Sequence, residues 1–117
     1  MTTPLHFGKD SQGYNAYAPL PSTNQWSGTI TNGSATSIKV PMNYAYWIVS
    51  FSVQPGANVW VDFTGATAAI PVGATLATTT SCLNPGQRTL LNGTNISIIT
   101  DNVEADVGIE MWSTNYP

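Results

Sequence analysis

The sequence predicts a single all-β domain, a β-sandwich of jelly-roll-like type that carries an irregular N-terminal arm. Three observations lead there. Short apolar runs alternate with polar residues at period two. Gly, Pro and Asn turn signals punctuate those runs at short intervals. No stretch holds a helical repeat of apolar residues long enough to bury a helix face. At 117 residues the chain fits one domain. A chain of this size buries about two thirds of its unfolded surface, so a core can form without a metal or disulfide staple.

Residues 1–24 read as the arm. Pro4, Pro19 and Pro21, with Gly8 and Gly13, interrupt any regular element. Leu5, Phe7, Tyr14, Tyr17 and Leu20 make the segment unlike a solvating tail, and imply that it lies on its own sheet or on a neighbour. From Gln25 to the end the pattern is that of the sandwich domain, 25–117. "QWSGTI" (25–30) and "TSIKV" (36–40) flank Asn32-Gly33 and predict a hairpin. In "YWIVSFSVQPGANVWVDF" (46–63) Trp47, Val49, Phe51 and Val53 alternate onto one face. After Pro55-Gly56, Val59, Val61 and Phe63 continue inward while Trp60 and Asp62 point out, which reads as a second hairpin. Residues 64–80 are small and Thr/Ala-rich, with a short strand expected around Ala74–Thr79. "LNPGQRTLL" supplies a further turn and strand, and "NISIIT" with "DVGIEMW" predicts a last pair, Ile96 and Ile98 facing Val107, Ile109 and Met111.

That inward set suffices for one two-sheet core and leaves Trp26, Trp60 and Trp112 with outward or unassigned phase. A tryptophan buries about 150–250 Å² when covered, on the order of 4–6 kcal/mol gross at about 25 cal/mol per Å², before association entropy is subtracted. Either the arm folds back over these rings, or a strand phase slips by one, or they contact another subunit or a sugar.

Composition narrows the function. Charged residues are 8% of the chain, against about 25% in an ordinary soluble domain. With a net charge of −3 and three cations in all, there is no electrostatic footprint for nucleic acid or an anionic membrane. A hydrophobic content of 42% argues against disorder. No run approaches the length of a membrane-spanning helix, and "MTTPLHFGKDSQGYNAYAP" lacks the apolar region of a secretory signal. A polar, nearly uncharged surface suits a protein packed beside other copies or partners.

Reactive groups are sparse. Cys82 is alone, which excludes an intramolecular disulfide and a Cys-based metal site. His6 lies in the arm, a poor platform for a triad. Phosphate-cradling loops are absent. Asp101, Glu104 and Asp106 cluster at one turn, where a solvated acidic turn competes with a calcium-binding loop; their spacing matches no EF-hand and gives no glycosidase geometry. Asn32-Gly33-Ser34, Asn92-Gly93-Thr94 and Asn95-Ile96-Ser97 fit the glycosylation pattern but read as turn chemistry. No catalytic residue, cofactor or metal is expected. Arg88, the sole arginine, calls for a designated partner: Asp62, Glu110 or a carboxylate on a neighbouring subunit.

The stretches "LHFGKDSQGYNAYAP" (5–19), "WIVSFSVQPGANVWVDF" (47–63) and "LNPGQR" (83–88) resemble small virion structural proteins of tailed bacteriophages. These are short all-β proteins that decorate or cement the head or serve as minor structural components. The resemblance implies a non-enzymatic role in the virion, which is assembled in the host cytoplasm. It implies contact with the major capsid protein or other virion proteins, and a homo-oligomer, dimer or trimer. The interface candidates are Leu5, Phe7, Tyr14, Tyr17, Trp26, Trp60, Arg88 and Trp112. The alternative is a carbohydrate-binding β-sandwich in which Trp26, Trp60 or Trp112 stacks on sugar. An enzyme such as a small glycosidase or lyase ranks last, for want of an acid/base pair.

Overall fold

The structure is a computed structural model that describes residues 4, 7–9, 11–12, 15–19, 21–73 and 81–114, the strands at 7–9 and 15–19 as backbone only. All of the regular structure in it is β. A two-stranded ribbon, β1 (Phe7–Lys9) and β2 (Asn15–Pro19), precedes two four-stranded antiparallel sheets. The first sheet runs β3 (Asn24–Thr31), β10 (Glu104–Thr114), β5 (Tyr46–Val53), β8 (Gln87–Leu91). The second runs β4 (Thr36–Lys39), β9 (Asn95–Thr100), β6 (Val59–Asp62), β7 (Cys82–Leu83).

The pairing is nested. Within the sandwich the first strand pairs with the last, the second with the last but one, and so inward: β3 with β10, β4 with β9, β5 with β8, β6 with β7. Added pairings of β10 with β5 and of β9 with β6 close each sheet. One long antiparallel ribbon rolled in this way is a jelly roll.

This order corrects three of the expected pairings. The Asn32-Gly33 turn joins β3 to β4, the Pro55-Gly56 turn joins β5 to β6, and residues 101–103 join β9 to β10, yet each joins strands of opposite sheets. Turn chemistry at Gly33 (φ 78°) and Gly56 (φ 83°) specifies a chain reversal. It does not specify whether the returning strand pairs with its predecessor or crosses the core. The facing expected of Ile96 and Ile98 with Val107, Ile109 and Met111 holds, but across the core between sheets. The strand expected at Ala74–Thr79 lies outside the described residues.

The core is the space between the sheets. Trp47, Val49 and Phe51 from β5, Ile30 from β3, and Ala105, Val107, Ile109 and Met111 from β10 meet Ile38, Val59, Val61, Ile96 and Ile98 from the second sheet. Trp47 is fully enclosed and packs edge-on against Tyr44 at 6.0 Å between centroids. Phe63 stands edge-on to Phe51 at 5.9 Å and packs against the same cluster.

Asparagines close one end of the sandwich. Asn84 has a left-handed backbone (φ 43°) and acts as an extra strand residue: its N–H donates to the Val59 carbonyl at 2.7 Å, and its Oδ1 accepts from the Val59 N–H at 2.8 Å. Asn102 Oδ1 accepts from the Asn58 N–H, and Asn32 Nδ2 donates to the Asp101 carbonyl. Amides here satisfy backbone groups that the crossing turns leave without ladder partners. The composition therefore has a structural use: Asn at the turns substitutes for missing strand hydrogen bonds.

Candidate functional site

The arm is more ordered than its prolines and glycines suggest, since β1 and β2 pair antiparallel, with a register shift between Phe7 and Lys9. Three-to-five-residue strands are too short to show a period, and Pro19 sits at a strand end where its missing N–H removes no interior ladder bond. Both ends of this segment are tied to one strand. Pro4 bridges Ser113 of β10 in parallel, beyond the point where β3 ends. Ser22, buried, hydrogen-bonds through its hydroxyl to the Met111 carbonyl of β10 and accepts from the Asn24 N–H at 3.0 Å. Gln25 Nε2 donates to the Ser22 carbonyl at 2.7 Å. The chain between residues 4 and 22 thus leaves and returns to the same stretch of β10. Of the candidates in it, Leu5 and Tyr14 lie outside the described residues, and Phe7 and Tyr17 are placed as backbone in β1 and β2.

The three unassigned tryptophans take three different positions. Trp26 has inward phase: it pairs with Ile109 and packs against the core at the open edge between the sheets. Its ring lies back over Gly28, where a Cβ would come 2.8 Å from Cη2 and 2.9 Å from Cζ2. Trp112 points away from the core, opposite Ile48, but is only 4% exposed and so is a covered ring. Its neighbour Ser113 is where the leader docks. Trp60 is outward as expected and half-buried, in a transverse row with Ile99 and Leu83 on the outer face of the second sheet. Leu83 in that row is 53% exposed. The three candidates therefore sit on a sheet edge and on two opposite outer faces, and form no common patch.

Arg88 meets neither Asp62 nor Glu110 among the described residues. Its guanidinium donates to the Gln87 carbonyl at 2.6 Å and lies 6.0 Å from the centroid of Phe63. Arg88 pairs opposite Val49, so it has inward phase on the outermost strand of its sheet. An inward-directed charge on an edge strand disfavours edge-to-edge pairing with another sheet.

Two concavities stand out. A groove of about 300 Å³ opens between the edges of β3 and β4, floored by Trp26, Ile38 and Met111 and rimmed by Asn24, Gln25 and Lys39. Asn24 Oδ1 in its wall is shielded from solvent and accepts no hydrogen bond. The second cavity, about 160 Å³, lies on the outer face of the second sheet between Ser37, Asn95 and Ser97 and the chain at 65–67. Here the connection after β6 folds back over the sheet: the Ala68 N–H donates to Ser97 Oγ at 2.8 Å, and the Ala69 N–H to Ser81 Oγ at 3.2 Å. That roof buries Asp62 and Ser97, two outward residues that the strand pattern alone assigns to solvent. The acidic turn is different: Asp101, Glu104 and Asp106 are all exposed and form no metal-binding group among the described residues. Asp106 instead accepts from the Thr29 hydroxyl at 2.7 Å.

No protein-family model matches this chain, and no curated protein and no solved structure matches it.

Proposed function

We propose that the chain is a non-enzymatic structural protein of a tailed-phage virion, a subunit that decorates or cements the capsid. In this reading it grips the major capsid protein or other virion proteins through its leader and through aromatic surface, as a dimer or trimer. The observation that carries it is the double tether of the leader to β10, at Pro4 and at Ser22. A two-stranded ribbon is at best marginally stable alone in water, so one held out from a fixed base gains its order from whatever it lies on. The low charge, the outward Trp60–Leu83 row and the resemblance of residues 5–19, 47–63 and 83–88 to phage virion proteins support the same reading.

The test is binding of the purified chain to virions or capsid shells that lack it, compared with a variant missing residues 1–21. Specific, saturable binding by the full chain and at least tenfold weaker binding by the truncation is expected, with the sandwich still folded. Absence of the protein from purified particles, together with no binding by the full chain, overturns the reading.

Carbohydrate binding is kept as a second reading because of the groove at Trp26. It has an aromatic floor, amide and ammonium groups on its rim, and a volume at the small end of the range for ligand pockets. Trp26→Ala should abolish any chemical-shift response of the groove to methyl glycosides. A wild-type chain that shows no such response at tens of millimolar glycoside removes this reading.

A further inference from the structure

Each sheet of the sandwich ends in two edge strands, and three of these four carry a feature that blocks pairing with another sheet. β7 is two residues long, β4 is four residues long and ends in Lys39, and β8 carries the inward-directed Arg88. β3 is different. It spans eight residues, "NQWSGTIT", with no charge and no proline, and it pairs with β10 from Asn24 to Thr31 without a register shift. No strand lies on its other side among the described residues. Backbone hydrogen bonds near its ends show which groups face that open side. The Gln54 N–H reaches the Asp106 carbonyl at 2.9 Å, so Asp106 turns its backbone toward β5 and Val107 turns toward β3. The Asn32 N–H reaches the Val103 carbonyl at 3.3 Å, in the same alternation. Trp26, Gly28 and Ile30 therefore bond to β10, while Gln25, Ser27, Thr29 and Thr31, all exposed, aim their backbone groups outward. The Thr31 carbonyl already accepts from the Ser34 N–H at 3.3 Å.

We infer that β3 pairs antiparallel with β3 of a second copy of this chain, joining the two first sheets into one across a two-fold axis. Main-chain hydrogen bonds supply affinity at such an edge for any extended partner, so the choice of a second copy rests on fit. The strand brings no charge that would repel its duplicate. Lys39 lies where β3 begins, on the rim of the groove with Asn24 and Gln25. Glu104 and Asp101 lie where β3 ends, opposite Thr31 and bonded to Asn32. Antiparallel pairing therefore sets the cationic end of each copy beside the acidic end of the other, whereas parallel pairing would set acid beside acid. The register that employs every outward-facing residue places Gln25 opposite Thr31 and Ser27 opposite Thr29 of the second copy. Gly28 then faces its counterpart on the axis, where the strands bring side chains closest. On the inner face Trp26 stands opposite Ile30 of the second copy, an aromatic and β-branched pair of the kind that stabilises sheets. The inference does not rest on the virion reading, which admits a dimer or a trimer, and it is tested on the isolated chain.

The experiment follows the mass of the full chain by light scattering over a range of concentrations, with amide hydrogen exchange read residue by residue. A monomer–dimer equilibrium is expected. Protection of the Gln25, Ser27, Thr29 and Thr31 amides should rise with concentration, while the Trp26, Gly28 and Ile30 amides are protected throughout. Ser27→Pro deletes an N–H that faces away from β10, a position where an edge strand tolerates proline. By symmetry it removes two bonds between the copies, so dimerisation should weaken about tenfold or more. Should that variant fail to fold, Ser27→Lys keeps every backbone group and places like charges on both sides of the axis, with the same expected loss. Leu91→Lys on β8, at the opposite edge of the sheet, should leave dimerisation unchanged. A chain that stays monomeric up to about 1 mM, a trimer, or a dimer that yields to Leu91→Lys and not to the Ser27 variants overturns the inference.

Discussion

Gly28 provides a direct test of how the open edge of the sandwich is packed. The indole of Trp26 lies over this residue, and a Cβ placed there would be 2.8 Å and 2.9 Å from two ring carbons. Carbon pairs are most favourable at about 3.5–4.0 Å, so Gly28→Ala demands that the ring retreat by about 0.7 Å or more. Overpacking of this kind costs about 1–3 kcal/mol. The ring is half-buried at an edge and has a groove to move into, which puts the cost at the lower end, about 1–2 kcal/mol. Against it, replacing glycine by alanine restricts the unfolded chain and returns about 0.4–1 kcal/mol. The net expectation is a loss of about 0–1.6 kcal/mol in the wild-type background.

In a Trp26→Ala background the clash is gone and only the entropic gain remains, so the same substitution should stabilise by about 0.4–1 kcal/mol. The coupling between the two sites is therefore about 1–2 kcal/mol, and Gly28→Ala is more favourable by that amount in the Trp26→Ala background. Urea unfolding of the four proteins, followed by circular dichroism so that loss of a tryptophan does not change the probe, measures it. Equal effects of Gly28→Ala in both backgrounds would show that the ring does not rest on Gly28, and the description of this edge would fail.

Other expectations follow from single contacts. Asn84→Ala removes the Oδ1 acceptor of the Val59 N–H and the Nδ2 donor to the Ala57 carbonyl while keeping the backbone N–H, and should cost about 1–3 kcal/mol in chemical denaturation; Asn84→Gly retains the backbone turn and isolates the side-chain share. Ser22→Ala breaks the buried link to the Met111 carbonyl, so amide exchange in the leader should speed up well beyond any global loss of stability. Trp60→Ala should lower folding stability by less than the about 3–5 kcal/mol of a fully buried tryptophan, because Trp60 is only half-covered. Under the proposed function it should weaken particle binding by far more than that loss explains, and equal losses would assign Trp60 to the fold alone.

The period-two alternation of Trp47, Val49, Phe51 and Val53, and of Val59 and Val61, already separates core from surface in the sequence, because side-chain direction along a strand is a local property. Chain reversals at Asn32-Gly33, Pro55-Gly56 and Asn84-Pro85-Gly86 are legible for the same reason: a left-handed φ or a fixed proline ring acts within two or three residues. Which sheet each strand joins is not local. It depends on burying both inner faces at once, so β3 passes over β4 and finds β10 some seventy residues away in sequence. The chemistry escaped the pattern on the same ground. Outward phase assigns Asp62, Ser97 and Trp112 to solvent, and only the roof over β6 and β9 and the packed environment around Trp112 bury them. Strand periodicity thus determined what each residue turns away from, while the three-dimensional folding of distant segments decided what each one meets, since burial is set by every part of the chain that comes to lie on a face.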